Sequence, residues 1–199
     1  GGLDSALWPK TDADGFERVA HLRTFMLPGG EAAVREPWRT AAGVLYELFR
    51  DEIFVRGDLG PLRRYWPRGY EILKTILSRR LNCPLTSSVG RFFDAVASMT
   101  GLRQKSRYEG QAAMDLEFAI DSAGVPCDDS SRYPFELKHE NDGDPDGCRI
   151  VDWGPMVVEI LRDANYGVAV GDISRKFHNT LVESMVGVAE AVGLESVAL

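Results

Sequence analysis

The sequence has 199 residues, 44% of them hydrophobic and 27% charged, with a formal net charge of -7. That apolar fraction supports one sizeable core and excludes a disordered chain, while the acidic balance disfavours nucleic acid as a partner. No apolar run approaches bilayer length, residues 1–15 lack the charged and apolar regions of a signal peptide, and three cysteines without a C-x-x-C pair fit a reducing cytoplasm.

In chain order, residues 1–15 read as a linker or cloning remnant and 16–199 as one domain. FERVAHLRTFML alternates loosely and stops at Pro28-Gly29-Gly30, a strand and a turn. From Glu31 the period changes: Val34, Trp38, Ala41, Leu45 and Leu48 recur at three and four, a helix with Pro37 near its true first turn. A loop with Gly57, Gly60, Pro61 and Pro67 follows. YEILKTILSRR gives a second helix with Ile72, Leu73, Ile76 and Leu77 on one face, residues 84–102 a third, and YEGQAAMDLEFAIDSAG a fourth ending at Gly124.

RYPFELKH and CRIVDW read as a β-hairpin around the acidic loop of Glu140, Asp142, Asp144 and Asp146. Calcium is the functional thought there, but the glutamate that closes an EF-hand loop is missing, so a solvated turn accounts for these carboxylates. Two helices close the chain, the second with Ile173, Phe177, Leu181, Met185, Val188 and Val192 along one stripe and Gly193 as its cap. ESVAL then reads as a strand just begun. Arg63, Arg64 and Arg68, Arg79 and Arg80, and Arg103, Lys105 and Arg107 read mostly as solvated surface.

The third helix raises the functional question. Val89, Phe92, Phe93, Val96 and Met99 form its core stripe, and Gly90, Asp94, Ala97 and Gly101 a second stripe of small residues around one carboxylate. Glycine inside a helix costs about 0.5–1 kcal/mol relative to alanine, so something approaches this face. Close packing of a neighbouring helix and approach of a ligand both account for it. Thr86, Ser87 and Ser88 stand where the helix begins, positions suited to capping and equally to binding an anion. Tyr108, Glu109 and Gly110 open the fourth helix, with Gln111, Asp115 and Glu117 in its first turns, where carboxylates favour the helix dipole. No metal partner is assigned to His21, His139 or His178, and no catalytic triad or Gly-rich phosphate loop can be argued.

LPGGEAAVREPWR (residues 27–39), PLTSSVGRFFDAVASMTGL (84–102), YEGQAAMDLE (108–117) and ISRKFHNTLVESM (173–185), in this order, resemble the carbamoyltransferase HypF family of nickel–iron hydrogenase maturation proteins. The resemblance implies an α+β, predominantly helical fold: a helical insert and partial second lobe of an actin/sugar-kinase/Hsp70-like (ASKHA) nucleotide-binding domain, with a small β-hairpin. It implies transfer of a carbamoyl group from carbamoyl-adenylate, made from carbamoyl phosphate and ATP, to the C-terminal cysteine of a HypE-type partner. Dehydration there gives the thiocyanate that becomes cyanide on the hydrogenase iron. By matching motifs, Asp94 and the Tyr108-Glu109-Gly110 turn, backed by Asp115 or Glu117, line the adenosine side of the cleft, and Thr86, Ser87, Ser88 and Gly90 shape its wall.

The family's metal-binding histidines would lie before this segment, and its S-G-G-x-x-x-N phosphate loop and last acidic metal ligand would follow it. The expectation is therefore a part of the enzyme that is inactive alone, with metal ligands elsewhere and no catalytic residue assigned here. The alternatives are a non-catalytic helical interaction module on the same scaffold, and a fragment that folds only as a dimer.

Overall fold

A computed structural model describes residues 8–12, 15–59, 70–122, 131–140 and 147–193. The expected end of the fourth helix at Gly124, most of the acidic loop and the terminal ESVAL lie outside the described residues. Residues 8–12, read from the sequence within a linker, form strand β1 (Trp8–Asp12), antiparallel to β2 (Gly15–Leu22) with Asp12 opposite Gly15. Pro9 and Lys10 masked this strand, since proline and lysine are poor strand formers whose place is an edge.

β2 runs parallel to β6 (Arg149–Asp152), and β6 pairs antiparallel with β5 (Glu136–His139), giving the order β1-β2-β6-β5. The expected hairpin is therefore present, joined to the β2 strand by a non-local pairing that periodicity does not announce. A second, two-stranded sheet pairs β3 (Phe25–Met26) with β4 (Leu85–Thr86).

After the turn at residues 28–30, where Gly29 and Gly30 have φ of 92° and 56°, the helical stretch is divided. α1 (Glu31–Arg35) ends at Glu36, and α2 (Pro37–Phe49) starts with Pro37 at its first position, where the missing N–H has no helical partner to lose. A 3-10 turn (Arg50–Phe54) follows, then α3 (Tyr70–Ser78), α4 (Val89–Met99), α5 (Gln111–Ser122), α6 (Gly154–Asn165) and α7 (Val170–Val192), whose end is capped by Gly193 in the left-handed conformation. Among the described residues no helix is long and apolar enough to cross a membrane.

The core is built where α2 packs on α4 and α5 on α7. Its centre is aromatic: Phe25, Phe92, Trp153 and Phe177 are fully buried, and Phe92 lies 5.5 Å from Trp153 and 5.7 Å from Phe177, centroid to centroid. The Trp153 indole N–H donates to the Arg23 carbonyl at 2.6 Å, satisfying its polar edge. α3 differs from expectation: Leu73 and Leu77 are buried, but Ile72 is 68% exposed. The molecule is a mostly helical α+β structure with small sheets.

Candidate functional site

The hydroxyls before α4 serve the chain itself. Thr86 Oγ1 accepts from the Ser88 N–H at 3.1 Å, and Ser88, in extended conformation, accepts at Oγ from the Arg91 N–H at 3.3 Å. Ordinary capping therefore accounts for Thr86 and Ser88, and Ser87 beside them is half-buried.

The small-residue stripe divides along the helix. Ala97 is fully buried in the core, whereas Gly90 is exposed, and a Cβ built there would meet only Ser88 Oγ at 3.7 Å. Close packing accounts for Ala97 and not for Gly90.

Asp94 is 3% exposed. Its Oδ2 lies 2.8 Å from Arg91 Nη1, an ion pair, yet the angle is not that of a hydrogen bond, and the buried oxygen has no hydrogen-bond partner. Burial pushes this carboxyl up to about 7, against the attraction of Arg91 and with added repulsion from Glu109. Arg91 also donates through Nη1 to the Val34 carbonyl at 3.4 Å and holds its Nη2 3.6 Å from Glu109 Oε1. The α4 carboxylate and the turn before α5 are thus brought together by Arg91, which the sequence reading passed over. Its signal was present: a cation three residues before a buried carboxylate on one helix.

In that turn Tyr108 is 54% exposed, and Gly110 has φ of 80° with open space where a Cβ would stand. The Arg107 N–H donates to Gln111 Oε1 at 2.8 Å, which fixes the turn against the start of α5. Asp115 is directed elsewhere: it accepts from Arg103 Nε at 2.5 Å, and the pair lines an open cleft of about 460 Å³ with Phe118 and the start of α7 at Ala169 and Gly171. Glu117 is exposed. The fold therefore groups Gly90, Arg91, Asp94, Glu109 and Gly110, while the Asp115 carboxylate is engaged by Arg103.

The histidines also divide. His178 is a packed residue: its Nδ1 bonds the Ser174 carbonyl at 2.8 Å and its ring meets Phe93 edge-on at 5.3 Å. His21, to which the sequence reading gave no metal partner, lies within reach of Glu140 and Cys148. Strand pairing between distant segments brings them together, so no local spacing could reveal it.

Residues 5–199 match the family model described as carbamoyltransferase, Kae1-like domain, second subdomain. The carbamoyltransferase HypF of Synechocystis sp. is 31% identical over 218 aligned positions that cover all of this chain and 26% of the relative. A carbamoyltransferase HypF homolog of Cupriavidus necator is 37% identical over 92% of this chain and 45% of its own length. Among solved structures, a full-length HypF crystallised in a phosphate- and nucleotide-bound form superposes with a TM-score of 0.77 at 31% identity, covering 94% of this chain and 27% of that one. HypF of T. kodakarensis shares the fold, with a TM-score of 0.66 at 23% identity, over 89% of this chain and 23% of its own. The chain spans about a quarter of the first of these relatives and less than half of the second. Motifs, fold and matched length agree: the chain belongs to the carbamoyltransferase HypF family, over the second subdomain of its Kae1-like domain.

Proposed function

We propose that the parent protein transfers a carbamoyl group from carbamoyl-adenylate to the C-terminal cysteine of a HypE-type partner, and that this chain supplies the adenosine-facing wall of the cleft. In that step the partner's thiolate attacks the carbamoyl carbon, the carbon–oxygen bond to the adenylate phosphate breaks, AMP leaves with the electron pair, and the thiol proton passes to solvent. Asp94 accepts a hydroxyl of the nucleoside, Arg91 orients Asp94 and Glu109, and Gly90 and Gly110 let the ligand come close to the backbone. The wall works as part of the second lobe of an ASKHA-type fold, so the chain alone does not complete the transfer.

The observation that carries this reading is the combination at α4: an exposed first-turn glycine with open space, near a buried carboxylate oxygen that has an ion pair with Arg91 but no hydrogen-bond partner. A ligand approaching this face would use both the open space at Gly90 and the free hydrogen-bonding capacity of the Asp94 oxygen. That a related full-length HypF crystallised in a nucleotide-bound form supports a nucleotide as the class of ligand.

The test is calorimetry of the complete parent with ADP, comparing wild type and Asp94→Asn. A loss of affinity of about tenfold or more, near the 1.4 kcal/mol of one lost polar contact, is the expected result; unchanged affinity returns Asp94 to a structural role.

A second reading, a non-catalytic interaction module, draws on the exposed apolar residues Ile72, Leu81 and Leu85. Retained binding of a HypE-type protein by a parent that has lost nucleotide affinity would favour it.

A further inference from the structure

We propose that His21, Glu140 and Cys148 form a binding site for a zinc-class divalent ion, separate from the nucleotide wall. Their nearest ligand atoms all lie within 4.8 Å of one another. His21 Nε2 stands 3.7 Å from Glu140 Oε1. That exceeds the about 2.7–3.2 Å of a hydrogen bond. It is slightly longer than the about 3.3–3.6 Å between a nitrogen and an oxygen ligand of a tetrahedral zinc ion with bonds of about 2.0–2.2 Å, so a small inward movement of the half-exposed Glu140 side chain would complete the pair.

The protonation pattern aims the imidazole. His21 Nδ1 bonds the Leu22 carbonyl at 2.8 Å. A carbonyl only accepts, so Nδ1 carries the hydrogen, and Nε2, the nitrogen that faces Glu140, is the one left to serve as a ligand atom. This is the orientation that an outer hydrogen bond gives a metal-bound histidine.

The backbone holds the three residues in place before any ion binds. His21 sits opposite Ile150 in the parallel β2–β6 pair and is 8% exposed. The Glu140 N–H donates to the Cys148 carbonyl at 2.9 Å, closing the mouth of the hairpin, while the Glu140 side chain is half exposed and open to solvent. An ion here would fasten β2 to the β5–β6 hairpin. Cys148 Sγ also lies 3.8 Å from the Arg149 carbonyl, a weak contact that a thiolate bound to metal gives up. A thiolate, an imidazole and one carboxylate select zinc or cobalt over magnesium or calcium, and three protein ligands leave a fourth position for water.

The experiment uses the full chain, stripped with chelator and titrated with Zn²⁺ alone against a competing indicator. One equivalent should bind, and Zn²⁺ should raise the Tm. Cys148→Ser and Glu140→Gln should each lower affinity by more than about tenfold, while Cys83→Ser should leave it unchanged. Co²⁺ should give thiolate charge-transfer absorption that disappears in Cys148→Ser. Glu140→Gln changes a half-exposed side chain and, with circular dichroism, separates lost ligation from misfolding. Failure to hold one equivalent, or wild-type affinity in folded Cys148→Ser and Glu140→Gln, would overturn the site and leave His21 and Glu140 as a plain ion pair.

Discussion

Arg91 and Asp94, three residues apart on α4, are both nearly buried, with Arg91 Nη1 2.8 Å from Asp94 Oδ2, yet burial outweighs the cation and raises the Asp94 carboxyl to about 7. The ordinary value of an aspartate, taken for the unfolded chain, is 3.8. The folded state therefore holds the proton more tightly. The resulting stabilisation is fully present below the unfolded value and is lost as pH rises through about 7.

Between about pH 5 and pH 8 the loss amounts to on the order of 2 kcal/mol. Other groups titrate over the same interval, so the measurable quantity is the difference between wild type and Asp94→Asn in urea unfolding. Relative to the variant, wild type should weaken by that amount from the lower pH to the higher. A difference independent of pH would mean that Asp94 ionises near its ordinary value.

Gly43 is required by a close approach of backbone. A Cβ at this position would stand 1.8 Å from the Met26 carbonyl oxygen and 2.9 Å from its carbon, both main-chain atoms of β3. No rotamer relieves such a clash, so α2 or β3 must move. Gly43→Ala should cost about 3 kcal/mol or more, at or above the top of the usual overpacking range. Gly57, with nothing within 4 Å of its Cβ position, should tolerate alanine. Urea denaturation midpoints at constant slope compare the two.

The helices were legible because each buries one stripe at helical spacing, as Ile173, Phe177, Leu181 and Val188 do along α7. The edges of the fold were not. β1 contains Pro9, β3 and β4 are two residues each, and the β2–β6 pairing joins segments far apart in sequence, so none leaves a periodic signature. Glu31 to Arg35 and Pro37 to Phe49 read as one helix because the apolar spacing runs across the break at Glu36.

At the site, Asp94 stood out as the lone carboxylate of an apolar helix. Arg91 was overlooked although its spacing from Asp94 is local, and only its reach to Glu109, from another segment, leaves no mark in the sequence. Asp115 was grouped with Asp94 by proximity in the motifs, but Arg103, on the loop between α4 and α5, engages its carboxylate.

Tyr133 ties the segment before β5 to α6. Its hydroxyl donates to Asp163 Oδ2 at 2.8 Å, Lys176 Nζ reaches the same oxygen at 2.8 Å, and the ring is 4% exposed. Burial, and then the Asp163 carboxylate, push the phenol far above its ordinary range, so it remains a donor at every working pH. Tyr133→Phe keeps the ring and leaves Asp163 its lysine, so the cost should be about 1–2 kcal/mol. Asp163→Ala leaves both the phenol and Lys176 without their acceptor and should cost more. Equal losses in chemical denaturation would show that the Lys176 contact adds nothing, and no loss in Tyr133→Phe would show that the ring's packing, rather than the hydrogen bond, holds this contact.

Gly90→Ala separates stability from binding at one position. If the glycine served the fold, alanine would be harmful; but its Cβ would meet only Ser88 Oγ at 3.7 Å, an ordinary contact. Alanine is favoured over glycine by about 0.5–1 kcal/mol in a helix interior and by less in the first turn, where Gly90 stands, so the variant should unfold at slightly higher denaturant than wild type. If the open face is where nucleotide approaches the backbone, the same methyl group should weaken ADP binding by the complete parent. The two measurements should therefore move in opposite directions. A variant that gains stability and keeps full affinity would place the ligand away from this face. A variant that loses stability would mean that α4 needs glycine for the path of its own backbone.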